Sequence, residues 1–273
     1  MMILNIIACC IFEDDLLHLI INDKDIKELY IFENKEFHNS FKKKLQDYNI
    51  IYQCYSYNSQ LNNILKQKEK SKDIILILKL MELQLHIEPD LLKKTIYNEL
   101  NEIKKETTIK NIFLAYGLCG NVLGDVEQDF NTEDFQVFIL KELNGKAVDD
   151  CIGITLGGRE AYLKLLKSFN KVGTLIYTPI MAINAENLTV KSYINYGLTE
   201  DQAKDIIRET YKMTNYKNIL LIDTGLPYTN YNHAKYKTIE YASNYSLNVL
   251  EKKIGSPDLF IKNYIWFKNK IKD

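Results

Sequence analysis

The sequence predicts an α/β protein with a mostly parallel, Rossmann-like sheet, crossover helices and a helical C-terminal part. Short apolar runs rich in Ile, Leu and Val recur along the 273 residues. A longer stretch with helical spacing follows most of these runs, and the chain closes on such a stretch at 256–271. This alternation is typical of buried parallel strands joined by helices.

The predicted strands are short runs of β-branched and other apolar residues. They cover 2–9, 28–32, 73–79, 111–116, 135–140, 173–177 and 217–223. The clearest helical patterns cover 89–105, 159–169, 199–213 and 256–271. Thr199, with Gln202 three residues later, predicts a capping box. The polar, Lys-rich stretch 34–72 is interpreted as an insertion or an irregular helical layer within a single domain, 1–273.

Composition excludes several classes of partner. The 35 basic and 36 acidic residues nearly cancel, so neither a nucleic acid nor an anionic membrane is expected to bind. The opening segment is apolar for only about ten residues and has no basic leader, which argues against a signal peptide or a membrane span. We therefore expect a cytoplasmic protein, whose five cysteines serve as thiols or metal ligands rather than disulfides.

Thiol and imidazole side chains follow several of the predicted strands. Cys9 ends the first strand, His86 follows the third, Cys119 the fourth and Cys151 the fifth. Because ligands bind at the carboxyl ends of the strands in an open parallel sheet, these side chains are expected at one edge. Successive strand residues point to opposite faces, so only one of Cys9 and Cys10 should reach that edge site, and we favour Cys9.

Sulfur and imidazole ligands select zinc or another soft metal over magnesium or calcium. Fewer than four protein ligands would leave a coordination position open for water or substrate. A thiolate-rich zinc site can also deprotonate a substrate thiol. Two interpretations stay open on spacing alone: a metal site, or buried inert cysteines, since free Cys is among the most buried residue types.

A glycine-containing loop follows the strand at 111–116. Its candidate cofactor-binding residues are Tyr116, Gly117 and Gly120, because glycines permit tight turns and close approach of a ligand to the backbone. The loop has neither the lysine of a P-loop nor the full dinucleotide fingerprint. Nucleotide binding is therefore not predicted from it.

Two further segments are candidates for cofactor binding. Gly157, Gly158 and Arg159 precede a helix and could present backbone N–H groups and a guanidinium to an anion. A turn followed by an exposed arginine explains the same residues. Asp223 closes the strand at 217–223, where it could orient a ligand or cap a turn.

Six short motifs carry a resemblance to a known family. They are HIEP at 86–89, YGLCG at 116–120, DCI at 150–152, LGGREAY at 156–162, YTP at 177–179 and LIDTG at 221–225. In this order they resemble the domain of unknown function 1638 family of methanogenic archaea and anaerobic bacteria. The resemblance covers most of the chain.

The resemblance implies a ligand role for His86, Cys119 and Cys151, with Cys9 as a candidate fourth ligand. It also implies zinc and a link to corrinoid-dependent methyl transfer, with a small-molecule or corrinoid-protein partner. A non-catalytic carrier of a metal or tetrapyrrole, and an iron–sulfur or redox protein, are the alternatives. The oligomeric state is not implied.

Two positions depart from the family's pattern. Asp149 stands where the family usually has histidine, before Asp150 and Cys151, and Ile180 stands where an aromatic residue usually follows Thr-Pro. These departures bear on the substrate or cofactor more than on the metal.

Overall fold

The computed structural model describes residues 2–33, 39–56, 58–67, 73–105, 108–252 and 254–272. The chain divides into two compact units, the first formed by Met1–Cys151 with Asp258–Asp273 and the second by Ile152–Pro257. Each unit has its own parallel sheet. The expectation that the whole chain folds as one domain stays a prediction.

The first unit contains a six-stranded parallel sheet. Its strands are β1 (Met2–Cys9), β2 (Ile26–Phe32), β3 (Gln53–Tyr55), β4 (Ile74–Met81), β5 (Asn111–Ala115) and β6 (Gln136–Ile139). They lie in the order β3-β2-β4-β1-β5-β6, and every neighbouring pair is parallel. Strand β1 is therefore central, with β4 on one side and β5 on the other.

The second unit contains a three-stranded parallel sheet. Its strands are β7 (Gly173–Tyr177), β8 (Tyr216–Ile222) and β9 (Asn248–Lys252), in that order. Leu165, Ile176 and Leu220 belong to the hydrophobic core of this unit.

Helices follow or connect most of the strands. They are α1 (Glu13–Asn22), α2 (Asn39–Asp47), α3 (Asn58–Gln67), α4 (Pro89–Lys104), α5 (Val126–Phe130), α6 (Cys151–Thr155), α7 (Arg159–Ser168), α8 (Pro179–Ile183), α9 (Ala185–Asn195), α10 (Glu200–Met213), α11 (Tyr231–Tyr245) and α12 (Asp258–Lys272). Short 3-10 helices cover Cys10–Phe12 and Leu83–Ile87. The predicted α/β class with parallel sheets, crossover helices and a helical C-terminal part is confirmed.

Aromatic and aliphatic side chains pack these helices in the first unit. In α4 the buried residues recur every fourth position from Leu92 to Leu100, as expected of a helix with one face on a core. In α12 the ring of Phe267 stacks on Phe113 of β5 with centroids 5.3 Å apart, and Phe260 is buried beside it. The C-terminal helix is thus part of the core of the first unit.

Local signals placed several boundaries correctly. The strands at 2–9 and 173–177 have the predicted bounds. At the start of α10 the Gln202 N–H donates to Thr199 Oγ1 over 3.3 Å and the Thr199 N–H donates to Gln202 Oε1 over 2.9 Å. The predicted capping box is therefore confirmed.

Two strands were missed for a physical reason. Strand β3 has only three residues, and β9 is partly exposed with polar or charged residues at three of its five positions. Neither has the longer run of apolar residues from which the other strands were recognised.

The polar stretch 34–72 contains ordered secondary structure. Residues 34–38, 57 and 68–72 lie outside the described residues. The remainder forms α2, β3 and α3, and β3 pairs with β2. This part of the stretch therefore adds an edge strand to the first sheet.

None of the described helices has both the length and the apolar character that crossing a bilayer requires.

Candidate functional site

Cys9 and Tyr116 lie at the ends of neighbouring strands in the first sheet. Strands β1 and β5 are parallel, and Ala8 is paired with Ala115. Cys9 and Tyr116 are the next residues along each strand, so the register brings them to the same carboxyl edge. Both side chains are buried, Cys9 at 5% and Tyr116 at 1% exposure.

The loop after β5 turns sharply because of its backbone conformation. Cys119, Gly120 and Asn121 all have positive φ angles, of 46°, 72° and 69°. A left-handed conformation is strained for a residue with a Cβ atom, and Cys119 adopts it within the turn that follows Tyr116 and Gly117. The turn leaves Cys119 partly exposed, whereas Cys9 and Cys151 are buried.

Cys151 reaches this edge by an indirect path. After β6 the chain forms a tight return in which Lys141 pairs antiparallel with Ala147. The Leu118 N–H then donates to the Val148 carbonyl over 2.7 Å. Residues 148–150 are in this way held against the loop after β5, and Cys151 comes next.

Gly117 is required by this close approach. A Cβ atom at this position would lie 2.8 Å from the carbonyl carbon of Asp150, closer than atoms can pack. The Gly117 N–H also donates to the Cys151 sulfur over 3.3 Å. Gly117 therefore both admits the Asp150 backbone and orients the Cys151 thiol.

The thiols of Cys9, Cys119 and Cys151, named here the thiol cluster, share hydrogen bonds. The bond with Cys151 and burial raise the pKa of Cys119. The bond from Cys119 lowers the pKa of Cys151, but the bond to Cys9 and burial outweigh it and leave that pKa well above its ordinary value. Cys151 thus lies between Cys119 and Cys9, and the raised pKa values keep Cys119 and Cys151 protonated at neutral pH.

The hydroxyl of Tyr116 lies beside the thiol cluster without a bond to it. Burial raises the pKa of Tyr116 well above its ordinary value, and the nearby thiols, with Cys9 the strongest among them, raise it further. Among the described residues the hydroxyl has no hydrogen-bond partner. Buried polar atoms are nearly always bonded, so this exception calls for an explanation.

Cys10 belongs to a different environment from Cys9. Burial raises the pKa of Cys10, followed by the carboxylates of Glu13 and Glu82. Lys44 Nζ lies 3.0 Å from Glu13 Oε2, so this neighbourhood contains a buried ion pair. No thiol is among the groups that shift the pKa of Cys10, although Cys10 is among the groups that raise the pKa of Tyr116. That Cys9 rather than Cys10 belongs to the site stays a prediction.

His86 lies in the 3-10 helix Leu83–Ile87, which follows β4. Strand β4 is the other neighbour of β1, and Met81 at its end pairs with Cys9. The His86 backbone is therefore five residues beyond the partner of Cys9. Its side chain lies outside the described part of the structure, so its ligand role stays a prediction.

The donor set of the thiol cluster fits a soft metal by its chemistry. Its three sulfur atoms come from separate connections and meet through hydrogen bonds. Within the described residues, no three His, Cys, Asp or Glu side chains are already arranged to hold a metal ion. Binding would require the thiols to lose their protons and to turn toward a common centre.

The remaining predicted site residues belong to the second unit. Gly158 has φ 118° and ψ 176°, a conformation available essentially to glycine alone. It precedes α7, which begins at Arg159. The Gly225 N–H donates to Asp223 Oδ1 over 2.8 Å. Asp223 thus bonds within its own turn, as in the turn-capping interpretation, and a ligand role for it stays a prediction.

Within the second unit, these segments approach one another through the backbone. The Ser256 N–H donates to the Thr155 carbonyl, two residues before Gly157, over 2.8 Å. A Cβ atom at Gly255 would lie 3.1 Å from Thr224 Cα, next to Asp223. The 255–256 segment thereby links the Asp223 turn to the segment that leads into Gly157 and Gly158.

Comparison with known proteins gives a family and nothing more specific. A family model described as "Protein of unknown function (DUF1638)" matches residues 80–261, which is two thirds of the chain. No curated protein and no solved structure matches.

Proposed function

The chain belongs to the DUF1638 family, and on that premise we propose that it is a zinc-binding protein of anaerobic one-carbon metabolism that acts in corrinoid-linked methyl transfer. The single observation that supports the metal assignment is the convergence of three cysteines at the carboxyl edge of the first sheet: Cys9 ends β1, Cys119 lies in the loop after β5, and the Gly117 N–H of that loop donates to the Cys151 sulfur. The one-carbon assignment depends on the family resemblance. The proposed setting is the cytoplasm, where thiols stay reduced.

The chain's own groups define what the site would do. Cys9, Cys119 and Cys151 would hold the ion, with His86 as a candidate fourth ligand. When bound, zinc supplies the Lewis acidity that keeps a thiol ionised at neutral pH. The Gly117 N–H, already directed at Cys151, would stabilise that thiolate after its proton leaves.

The transfer step proposed for this site is a nucleophilic substitution at a methyl group. The methyl group would leave the cobalt of a partner's corrinoid with the bonding electron pair left on cobalt. A carbon–sulfur bond would form to a substrate thiolate, whose proton passes to solvent. The chain would position the thiolate, and the corrinoid would supply the methyl group.

Elemental analysis of protein purified without added metal tests the metal assignment. We expect a single zinc ion per chain in the wild type and a large loss in Cys119→Ala. Cys54→Ala is the matched control, because Cys54 lies in β3 at the far edge of the sheet, and it should retain the wild-type content. Absence of metal from wild type and Cys119→Ala alike contradicts the proposal.

Turnover distinguishes an enzyme from a carrier. Zinc-loaded protein incubated with a methylated corrinoid protein and a thiol should form several equivalents of thioether, and Cys151→Ala should form none. A protein that binds zinc but never exceeds one equivalent is a carrier.

A redox function is the second candidate, favoured by the contact of Cys151 with two other thiols. Loss of two hydrogen atoms to a disulfide oxidant would join Cys151 to Cys119 or Cys9. Mass spectrometry after thiol alkylation counts the free cysteines before and after oxidation. Rapid, reversible loss of two thiols in zinc-free, colourless protein would favour this function, and a brown protein containing iron and sulfide would favour a cluster.

A further inference from the structure

The outer side of α12 exposes two large apolar side chains at the middle of the helix. Ile265 is 49% and Trp266 is 46% exposed, and the two are named here the α12 ridge. The tryptophan is held in place, because its ring packs edge-to-face on Phe138 with centroids 5.4 Å apart. Fixed but half-exposed aromatic side chains are typical of the centres of protein–protein interfaces.

A groove lies on each side of the α12 ridge, within the first unit. One groove has a volume of about 350 Å³ and is lined in part by Leu143 and Leu259. The other has a volume of about 320 Å³ and is lined in part by Leu19 and Ile261. The two residues of the ridge form the adjoining walls. A ridge between two apolar grooves is complementary in shape to a second copy of itself.

The charges along α12 are also self-complementary. The first turn of the helix contains Asp258, and the last turn contains Lys270 and Lys272. Two copies packed antiparallel, about a twofold axis at Ile265, bring the acidic first turn of each helix to the basic last turn of the other. A parallel pairing would instead place like charges together, which is unfavourable. The charge pattern therefore favours an antiparallel pair of α12 helices.

We propose that the α12 ridge is the interface of a symmetric homodimer in which the two α12 helices pack antiparallel. The ridge of one copy lies in a groove beside the ridge of the other. Twofold dimers are the commonest oligomers of soluble proteins, and their interfaces use the same surface patch on both subunits. The dimer does not require the proposed metal site, so either proposal can fail without the other.

Sedimentation equilibrium of the full chain over a range of concentrations tests for this dimer. Trp266 is the sole tryptophan of the sequence, so tryptophan emission reports on this surface alone. We expect a reversible monomer–dimer equilibrium. As the dimer forms, the Trp266 emission should shift to shorter wavelength and acrylamide should quench it less.

A charge at the centre of the interface should separate the two copies. Ile265→Asp is expected to give a roughly 10- to 100-fold weaker dimer, about the effect of losing one buried aliphatic side chain. Ile239→Asp is the matched control, because Ile239 is also 49% exposed but lies in α11 of the second unit. The control should dimerise like the wild type.

A second variant tests the antiparallel arrangement. Lys270→Glu places an acidic residue in the last turn, where it would face the acidic first turn of the other copy. We expect a several-fold weaker dimer at low ionic strength and a much smaller difference in concentrated salt, which screens exposed charges. Wild-type affinity in Lys270→Glu at low ionic strength contradicts this arrangement.

Three results overturn the proposed interface. The first is a chain that stays monomeric at every concentration. The second is a dimer that Ile265→Asp leaves unchanged, which must use another surface. The third is a monomer whose Trp266 emission shifts only when vesicles of phosphatidylcholine and phosphatidylglycerol are added, which would assign the α12 ridge to a membrane surface.

Discussion

Two tyrosines, one in each unit, are equally buried but differ in their partners. Tyr116, after β5, and Tyr241, in α11, are each 1% exposed. The Tyr241 hydroxyl lies 2.7 Å from that of Tyr211 and donates to Thr189 Oγ1 over 3.2 Å. The Tyr116 hydroxyl has no such partner among the described residues.

The difference distinguishes a buried hydroxyl group that stabilises the core from one that is available to a ligand. The hydroxyl network around Tyr241 is satisfied within the protein, as a stable core requires. Beside the thiol cluster, by contrast, the Tyr116 hydroxyl has no partner among the described residues, a condition that lowers stability and is expected at a ligand site. The second unit therefore looks structural at this point, whereas the carboxyl edge of the first sheet looks functional.

The largest expected effect comes from removing the central thiol. Cys151→Ser should abolish zinc binding, a loss beyond the ~100-fold that removal of an outer-shell partner costs, because Cys151 bonds to both other thiols. Equilibrium dialysis measures it, with Cys54→Ser as the control. Retention of wild-type zinc affinity in Cys151→Ser would contradict the proposal that the carboxyl edge of the first sheet is a functional site.

The second effect concerns Asp15, a buried carboxyl group of the first unit. Burial, with the charge of Asp14, raises the pKa of Asp15 to about 8 from an ordinary 3.8, and the bond from its own backbone lowers it only partly. Because the folded-state pKa is raised, the folded protein retains the proton more strongly. Its contribution to stability is complete below pH 3.8 and is lost as the pH rises through 8.

Denaturant unfolding at several pH values tests this effect. Each pKa unit is worth about 1.4 kcal/mol, so the Asp15 contribution falls by several kcal/mol between pH 4 and 9. Asp15→Asn mimics the neutral carboxyl and should be more stable than the wild type at pH 8 but not at pH 4. A constant difference between the two proteins across this range would contradict the account.

The third effect is on the satisfied network of the second unit. Tyr241→Phe removes the bonds to Tyr211 and Thr189 and leaves their hydroxyls short of a partner. We expect a loss of about 1–2 kcal/mol in the free energy of unfolding. Denaturant titration at pH 7 checks it, and an unchanged midpoint would show that the network does not stabilise the unit.

The smallest effect has the opposite sign. Tyr116→Phe removes a buried donor without a partner, so the metal-free protein should gain about 1 kcal/mol of stability. The same titration compares it with Tyr241→Phe. Destabilisation by both substitutions would mean that the Tyr116 hydroxyl has a hydrogen-bond partner in solution. Tyr116 and Tyr241 would then not differ as proposed.

Strand ends were predictable because they depend on local patterns. The apolar runs placed the end of β1 at Cys9, and the parallel-sheet rule then predicted that Cys9 and Cys119 share an edge. The path of Cys151 was not predictable in the same way. It depends on the return after β6 and on the contact between Leu118 and Val148, which are tertiary features without a sequence periodicity.

The pattern of apolar residues also does not show which strands share a sheet or which buried polar groups have a hydrogen-bond partner. The strands at 173–177 and 217–223 were recognised, but nothing in them indicates that they form a second sheet, with Gly158 and Asp223 in a separate unit. Likewise Tyr116 was selected for its place in a glycine loop. Its unsatisfied hydroxyl becomes visible only when the surrounding side chains are placed.

X-ray absorption at the zinc edge tests the central claim most directly, because it counts the sulfur atoms bound to the ion. For the zinc-loaded wild type we predict three sulfur scatterers at about 2.3 Å, and two in Cys9→Ser. A first shell of only nitrogen and oxygen, or a sulfur count that Cys9→Ser leaves unchanged, would contradict the convergence of Cys9, Cys119 and Cys151 on one metal.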